Sequence, residues 1–526
     1  MNKKNQWLTS IIVLMALTGV EAQTANGVPR LVVNILVDRL QSDYMEAFMP
    51  LYGNDGFKRL MSEGRVYTQA EYEMADLDRA SAAAVVVTGA NAYDNGIVGV
   101  RLLDRNTLRP TYITDDKRYS GIGTADASSP QALMVSTVSD ELKVASDGKA
   151  LVYSISPYRE TSVILGGHAA DGALWIDDAT GTWCTSSYYG SMPTWAQAAA
   201  RQLSGTAATA TEWQPYNAFV GNFSYFLSGG MKKPFKHKFE GVQRFRDYKT
   251  SGVVNEYVTK MAEACINNSM VGIDDITDYL SVAYYAGSYR DEAVKAYPME
   301  LQDTYVRLDA SIAALLKTID RRVGLANALV VMTSTGVGET RGSDDKQYRI
   351  PTGTFDIARA GNLLNVYLMA IYGSGKYVDT AFGQYLYLNH KLIEQKNIAL
   401  GELLERAQDF LIQLSGVKDV YTSQRILQGA WTPGINRFRN SYNPKASGDI
   451  LIQVTPGWTL VNETFGETSH ACEAYTPFPI VFLGSKIVAQ TIDTPVTVDL
   501  IAPTLSKSLR IRAPNASAKA PLTGVF

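Results

Sequence analysis

A single carboxylate at the end of an apolar run is the first group in this sequence that could do chemistry. The run covers residues 31–37, and Asp38 follows it directly. A run rich in β-branched residues is typical of a parallel strand that is buried on both faces. Open α/β proteins bind their ligands at the carboxyl ends of such strands, so Asp38 is a candidate site residue. The alternative is that Asp38 only caps the helix that follows.

The histidines and cysteines are scattered along the chain. They are His168, His237, His390 and His470, and Cys184, Cys265 and Cys472. No His-Glu-x-x-His or Cys-x-x-Cys spacing occurs, which excludes the common zinc motifs. In an exported chain three cysteines allow one disulfide, and the sequence does not determine which two would pair.

Composition and the N-terminus indicate a globular, exported protein. Of the 526 residues, 46% are hydrophobic and 19% are charged, and the formal net charge of -3 gives no sign of a nucleic-acid-binding surface. Residues 1–22 contain two lysines, an apolar run and a small-residue cleavage site, which predicts a signal peptide. No later apolar run is long enough to span a bilayer. We therefore expect a soluble protein that is periplasmic, associated with the cell envelope or secreted.

Strands and helices alternate around Asp38. Apolar runs predict further strands at 151–155, 279–285, 329–333 and 480–484. A run of small residues predicts a helix at 80–87 that is ended by Gly89, and periodicity predicts a helix at 301–319. This alternation predicts an α/β fold, with a mostly parallel sheet and helices on both faces. Two regions rich in Tyr, Trp, Gly and Pro fit the pattern poorly. They lie at about 170–275 and 340–470, and we predict that they are cap insertions in a domain covering 23–526.

Several phrases along the chain resemble the alkaline phosphatase superfamily, specifically its PafA-like phosphomonoesterase branch. They are GFKRL at 56–60, TG at 88–89, GIVG at 96–99, GHAA at 167–170, DTYVRLD at 303–309, YNPK at 442–445, SGD at 447–449, PGW at 456–458 and DLIAPTL at 499–505. The resemblance implies an alkaline-phosphatase-like fold. In the family, two zinc ions are bound by Asp and His and activate a Thr or Ser nucleophile at a helix N-terminus.

Most residues that carry this chemistry in the family are absent here. Asp38 matches the first metal ligand, but the nucleophile position falls on Arg79. The segments that match the remaining ligands, 288–292, 333–336 and 476–479, contain no histidine. The resemblance therefore implies that the fold is kept, that zinc is not bound, and that the protein is a pseudoenzyme.

Rebuilt sites remain as alternatives. Ser81 is the hydroxyl nearest to the lost nucleophile, although no activating base is apparent. Asp38, Asp291 and Glu292 are candidate ligands for a different metal site, because carboxylates bind zinc and magnesium.

The helix that starts near residue 80 is preceded by two acids, Asp76 and Asp78. Side-chain oxygens of Asp accept hydrogen bonds from the free N–H groups of a first helical turn. We expect these two residues to cap the helix, and we expect His168 to support the turn that follows the 151–155 strand.

Four arginines lie in or beside the altered motifs: Arg79, Arg101, Arg159 and Arg290. Guanidinium groups recognise phosphate, sulfate and carboxylate, so we predict an anion-binding cleft formed by these arginines and Asp38. The alternative is that each arginine makes a local ion pair. For Arg79 we expect an ion pair with Asp38, within about 4 Å.

Two functions follow from these observations. The favoured one is an exported protein without zinc-dependent phosphatase chemistry, which binds a protein or an anionic small molecule. The alternative is a hydrolase of the phosphatase or phosphodiesterase type with a rebuilt metal site.

Overall fold

The computed structural model describes residues 27–203, 212–220, 234–338, 351–430, 432–470, 477–484 and 486–526. The predicted signal peptide, residues 1–22, lies outside this part of the chain. None of the described helices is both long enough and apolar enough to cross a membrane.

The strands are short and numerous. They are β1 Leu31–Asp38, β2 Arg65–Glu71, β3 Arg101–Asp104, β4 Arg109–Tyr112, β5 Gly121–Ile122, β6 Val152–Ser156, β7 Gly172–Ile176, β8 Trp183–Ser186, β9 Glu212–Trp213, β10 His237–Lys238, β11 Asp278–Tyr285, β12 Ala328–Ser334, β13 Thr354–Asp356, β14 Val378–Phe382, β15 Tyr385–Leu388, β16 Val417–Thr422, β17 Ile450–Val454, β18 Thr459–Asn462, β19 Glu467–His470, β20 Phe478–Gly484, β21 Gln490–Ile492 and β22 Val496–Thr497.

The α-helices are α1 Ser42–Ala47, α2 Phe57–Glu63, α3 Arg79–Thr88, α4 Ala92–Asn95, α5 Val138–Ala145, α6 Arg159–Gly166, α7 Thr194–Leu203, α8 Arg244–Lys249, α9 Val253–Asn268, α10 Pro298–Arg322, α11 Ile357–Tyr372, α12 His390–Gln395, α13 Leu400–Leu411, α14 Ser423–Gln428, α15 Pro433–Ser441 and α16 Ile501–Leu509.

An eleven-stranded sheet forms the centre of the fold. Its order is β21-β2-β20-β12-β1-β11-β6-β7-β8-β5, and β22 pairs with β2. Strand β1 lies between β11 and β12 and is parallel to both. Strand β20 is antiparallel to its neighbours β12 and β2, and β8 is antiparallel to β7. The predicted α/β fold with a mostly parallel sheet is therefore confirmed.

Strand β1 is buried along its whole length, as its apolar sequence indicated. Its side chains alternate between the two faces of the sheet. Leu31, Val33, Ile35 and Val37 join one hydrophobic core, and Val32 and Leu36 join the other. This two-sided burial fixes the register of β1, and it sets Asp38 at the carboxyl edge of the sheet.

A second sheet lies later in the chain, in the order β14-β15-β17-β16. Helices α11 and α13 supply side chains such as Leu364 and Leu404 to its own hydrophobic core. The described residues of the predicted insertion at 340–470 include this sheet.

The predicted insertion at about 170–275 needs a correction. Strands β7 and β8 lie within its range, but they belong to the central sheet. Their aromatic residues are not a cap surface: Trp183 is buried and stacks on Tyr257, with ring centroids 5.3 Å apart. Composition alone does not distinguish an aromatic-rich buried strand from an aromatic-rich cap, because both bury large rings.

The disulfide question is partly answered. Cys184 and Cys265 are both buried free thiols, so they do not pair with each other. Cys472 lies outside the described residues.

His168 links the turn after helix α6 to helix α5 and to the segment that precedes α5. Its Nδ1 lies 2.9 Å from an Asp140 carboxylate oxygen, and its Nε2 lies 3.0 Å from the Leu133 carbonyl oxygen. Because both ring nitrogens face acceptors, a protonated ring satisfies both contacts. The hydrogen bond with Asp140 raises the pKa of His168 above its usual value. Burial would raise the pKa of Asp140, but the hydrogen bond with His168 and others lower it overall.

We expect the stabilising effect of His168 to depend on pH. A histidine whose pKa is raised by folding contributes fully below its unfolded pKa of about 6.5, and the contribution disappears as pH rises through the raised value. Replacing His168 with glutamine should therefore lower the melting temperature more at pH 5.5 than at pH 9. Thermal unfolding followed by circular dichroism measures this difference. In an Asp140→Asn background the same replacement should show little pH dependence, and an equal loss at both pH values in the native background would contradict the assignment.

Candidate ligand-binding site

The site is built on the carboxyl ends of the central parallel strands. Asp38 ends β1, Tyr285 lies opposite it at the end of β11, and Thr335 follows β12. Tyr158 comes two residues after the end of β6. Parallel strands bring their carboxyl ends to one edge of a sheet, so residues far apart in sequence meet there.

Asp38 is a desolvated carboxylate. Its side chain accepts a hydrogen bond of 2.9 Å from the Thr335 hydroxyl, whose oxygen in turn accepts the backbone N–H of Arg39 at 3.0 Å. Burial raises the pKa of Asp38, although the charges of Arg39 and then Arg79 oppose this effect. Asp38 therefore lies within the influence of two cations while its direct partner is a neutral hydroxyl.

Arg79 occupies the first position of helix α3. Its guanidinium carbon lies 4.1 Å above the centroid of the Tyr158 ring, which is a cation–π contact. Its buried Nε has no hydrogen-bond partner within the described residues. The predicted ion pair between Arg79 and Asp38 is wrong: the ion pairs formed within the described ranges do not include these two residues. The Tyr158 ring covers a face of the guanidinium, and Thr335 supplies the hydrogen bond to Asp38.

Arg39 is a residue that the sequence reasoning missed. It has a φ of +63°, which is unusual for a residue other than glycine. Its guanidinium lies 3.5 Å from an Asp291 carboxylate oxygen, and Asp291 itself has a φ of +55°. Left-handed backbone at non-glycine residues tends to cluster at functional sites. The only sequence signal was that an arginine directly follows Asp38.

The other three predicted arginines all have carboxylate partners. Arg101 pairs with Glu467 at 3.1 Å, and Arg290 pairs with Asp247 at 2.7 Å. Arg159 is buried and contacts three acids, Asp115, Asp126 and Glu160, at 3.0 to 3.4 Å. The ion-pair alternative therefore describes these side chains, and their role in ligand binding stays a prediction.

Asp78 closes the N-terminus of helix α3. Its Oδ1 accepts the backbone N–H groups of Ala80 and Ser81 at 2.9 and 3.0 Å, and its Oδ2 accepts that of Val100. Ser81 completes a capping box, because its hydroxyl oxygen accepts the N–H of Asp78 at 3.0 Å. The capping prediction is confirmed for Asp78, whereas Asp76 makes no such cap. Ser81, the weak nucleophile candidate, is fully buried within this cap.

The residues present do not fit the zinc centre of the family. Asp291 is paired with Arg39, and Glu292 is exposed on the segment that follows. Throughout the described ranges, no three His, Cys, Asp or Glu side chains are arranged to hold a metal ion, and a rebuilt metal site at Asp38, Asp291 and Glu292 stays a prediction. A divalent cation beside Asp38 would also be repelled by the charges of Arg39 and Arg79, which already act on this carboxylate.

The fold and the site define the class of this protein as an open α/β protein with a charged site at the carboxyl edge of its sheet. The chain belongs to the type I phosphodiesterase / nucleotide pyrophosphatase family, whose model matches residues 32–473. Alkaline phosphatase PafA of Elizabethkingia meningoseptica is 28% identical to it in an alignment of 545 positions that covers 99% of each chain. Alkaline phosphatase PhoV of Synechococcus elongatus is 26% identical in an alignment of 514 positions that covers 93% of this chain and 91% of PhoV.

A solved structure agrees with these sequence matches. The crystal structure of wild type alkaline phosphatase PafA superposes with a TM-score of 0.80 at 26% identity, over 94% of this chain and 99% of that chain. The resemblance to the superfamily and the α/β fold are thus confirmed, and the named relatives are phosphatases.

The Asp78 cap generates a stability prediction. Replacing Asp78 with alanine leaves three backbone N–H groups without their acceptor, so we expect the free energy of unfolding to fall by about 2 kcal/mol. Urea-induced unfolding measures this change. The matched control is Asp409→Ala, because Asp409 is an exposed aspartate of helix α13, and its replacement should change stability by less than about 0.5 kcal/mol. Equal losses in the two variants would contradict the capping role.

Proposed function

We propose that this protein is an exported member of the phosphodiesterase family that binds an anionic ligand at the carboxyl edge of its sheet and does not hydrolyse phosphate esters. The observation that carries the proposal is the guanidinium of Arg79. It is partly exposed, and it lies at the position that the nucleophile takes in the family. It has no carboxylate partner within the described part of the chain, whereas Arg39, Arg101, Arg159 and Arg290 all do.

A guanidinium without acceptors favours binding of an anion. Its five N–H donors lose hydrogen bonds to water when they are partly buried, and the loss is repaired only when an acceptor arrives. The cation–π contact with Tyr158 stabilises the positive charge but supplies no acceptor for the N–H groups. An anionic group, either on a small molecule or on a partner protein, would satisfy them.

Hydrolysis is not supported by the residues at this edge. A hydroxyl nucleophile needs a base or a metal ion to activate it. Ser81 is buried in the capping box of helix α3, and Asp78 is bonded to three backbone N–H groups. Arg79 has no nucleophilic atom, because its guanidinium stays protonated.

The second candidate is a hydrolase with a rebuilt metal site that uses Asp38, Ser81, Asp291 and Glu292. The observation that favours it is the left-handed backbone at Arg39 and Asp291, which is typical of active sites. The relatives named above are also phosphatases.

Binding tests the first candidate. Isothermal titration calorimetry with inorganic phosphate, sulfate and acetate should detect binding of at least one anion to the native protein. Arg79→Gln should weaken that binding at least tenfold. The control is Arg425→Gln, because Arg425 is also stacked on a tyrosine, at 4.4 Å, but is paired with Asp419 in the second sheet. The proposal is wrong if no anion binds in a manner that depends on Arg79.

Turnover distinguishes the two candidates. Purified protein should not hydrolyse p-nitrophenyl phosphate or bis-p-nitrophenyl phosphate above the rate of its Asp38→Ala variant, with Zn²⁺, Mg²⁺ or Mn²⁺ added. Metal-dependent turnover that disappears in Asp38→Ala would establish the hydrolase instead.

A further inference from the structure

We propose that the group recognised by Arg79 is a carboxylate rather than a phosphate monoester. This inference rests on the anion-binding function proposed above. It follows from three features of the surroundings of Arg79: the number of available donors, the neighbouring charges and the fixed position of the guanidinium.

The first feature is the number of donors. A phosphate monoester carries three terminal oxygens, whereas a carboxylate carries two. The N–H groups of Ala80 and Ser81, which follow Arg79 in helix α3, and the N–H group of Val100 are all bonded to Asp78. One guanidinium edge satisfies two oxygens in a bidentate pair. A carboxylate is thereby fully bound, and the third oxygen of a phosphate would find no donor among these groups.

The second feature is charge. Three carboxylates on three different elements act on Arg79: Glu160 in helix α6, Asp38 at the end of β1, and Asp78 before helix α3. A fourth, Asp291, acts on both Asp38 and Tyr158. Two nearby cations offset part of this negative charge. Arg39 pairs with Asp291, and Arg159 pairs with Glu160 and two further acids. Among the described residues around the site, acids outnumber cations, so each additional negative charge on a ligand is repelled.

The third feature is a fixed guanidinium. The Tyr158 ring covers one face of it, and the Tyr158 hydroxyl donates a hydrogen bond of 3.3 Å to the Lys249 carbonyl oxygen. Lys249 is itself buried, and its ammonium group is bonded to the Ile176 carbonyl and to Asp178. An arginine held against a ring presents its N–H edge in a set direction, which suits a planar acceptor with two oxygens.

Calorimetry at pH 8 with three small ligands tests the inference. Monomethyl succinate is a carboxylate with one negative charge, and dimethyl phosphate has one negative charge but a tetrahedral shape. Methyl phosphate has two negative charges at this pH, since its second pKa is about 6. We expect monomethyl succinate to bind at least tenfold more tightly than either phosphate compound.

Variants connect this preference to Arg79. Arg79→Gln should abolish binding of monomethyl succinate, and Arg79→Lys should weaken it about tenfold, because an ammonium group lacks the planar fork. Arg425→Gln should bind as the native protein does, and circular dichroism should show all three variants folded. A peptide with a free α-carboxylate, compared with its amide, distinguishes a protein-borne carboxylate from a free organic acid, and both results support the shared chemistry.

Two outcomes overturn the inference. If either phosphate compound binds as tightly as monomethyl succinate, and Arg79→Gln removes that binding, the ligand is not selected as a carboxylate, although the anion-binding function stands. If no ligand depends on Arg79, both the inference and the anion-binding function are wrong.

Discussion

A carboxylate without solvent at the end of the central strand is the constraint on which the rest of the site depends. Strand β1 is buried on both faces and ends at Asp38, whose side chain is buried with it. A buried carboxylate is costly unless hydrogen bonds and positive charge accompany it. Thr335 supplies the hydrogen bond, and Arg39 and Arg79 supply the charge. Guanidinium groups therefore act on this carboxylate.

The two arginines that act on Asp38 have different surroundings. Arg39 adopts left-handed backbone, and its guanidinium reaches Asp291, whose backbone is also left-handed. Two such residues facing each other indicate that the surrounding structure imposes these conformations, because each is unfavourable on its own. Arg79 instead stacks on Tyr158, and its N–H groups have no carboxylate partner within the described residues. Of the two cations near Asp38, Arg39 is therefore paired with a carboxylate, whereas Arg79 is available to bind a ligand.

The comparison with the phosphatase relatives separates the fold from the site. A structure at 26% identity superposes with a TM-score of 0.80, so the framework is shared over nearly the whole chain. Strand burial and helix caps depend on many residues that tolerate replacement of one apolar side chain by another. A metal centre depends on a few ligands, none of which can be replaced by an arginine. A fold can consequently persist while the groups at its carboxyl edge change, and function must be argued from those groups.

The sequence by itself determined the α/β class, the burial of β1, the end of helix α3 at Gly89 and the arginine at its start. These features depend on apolar periodicity and on capping residues within a few positions of one another. Only the tertiary structure decided that Arg79 lies on Tyr158 and makes no ion pair with Asp38, because the ring comes from another strand end, about 80 residues away in the printed sequence. It also decided that β7 and β8 join the central sheet. The strands and helices that meet at the sheet edge determine which side chains contact a buried charge. Local sequence patterns do not predict these contacts, because the residues are far apart in the chain.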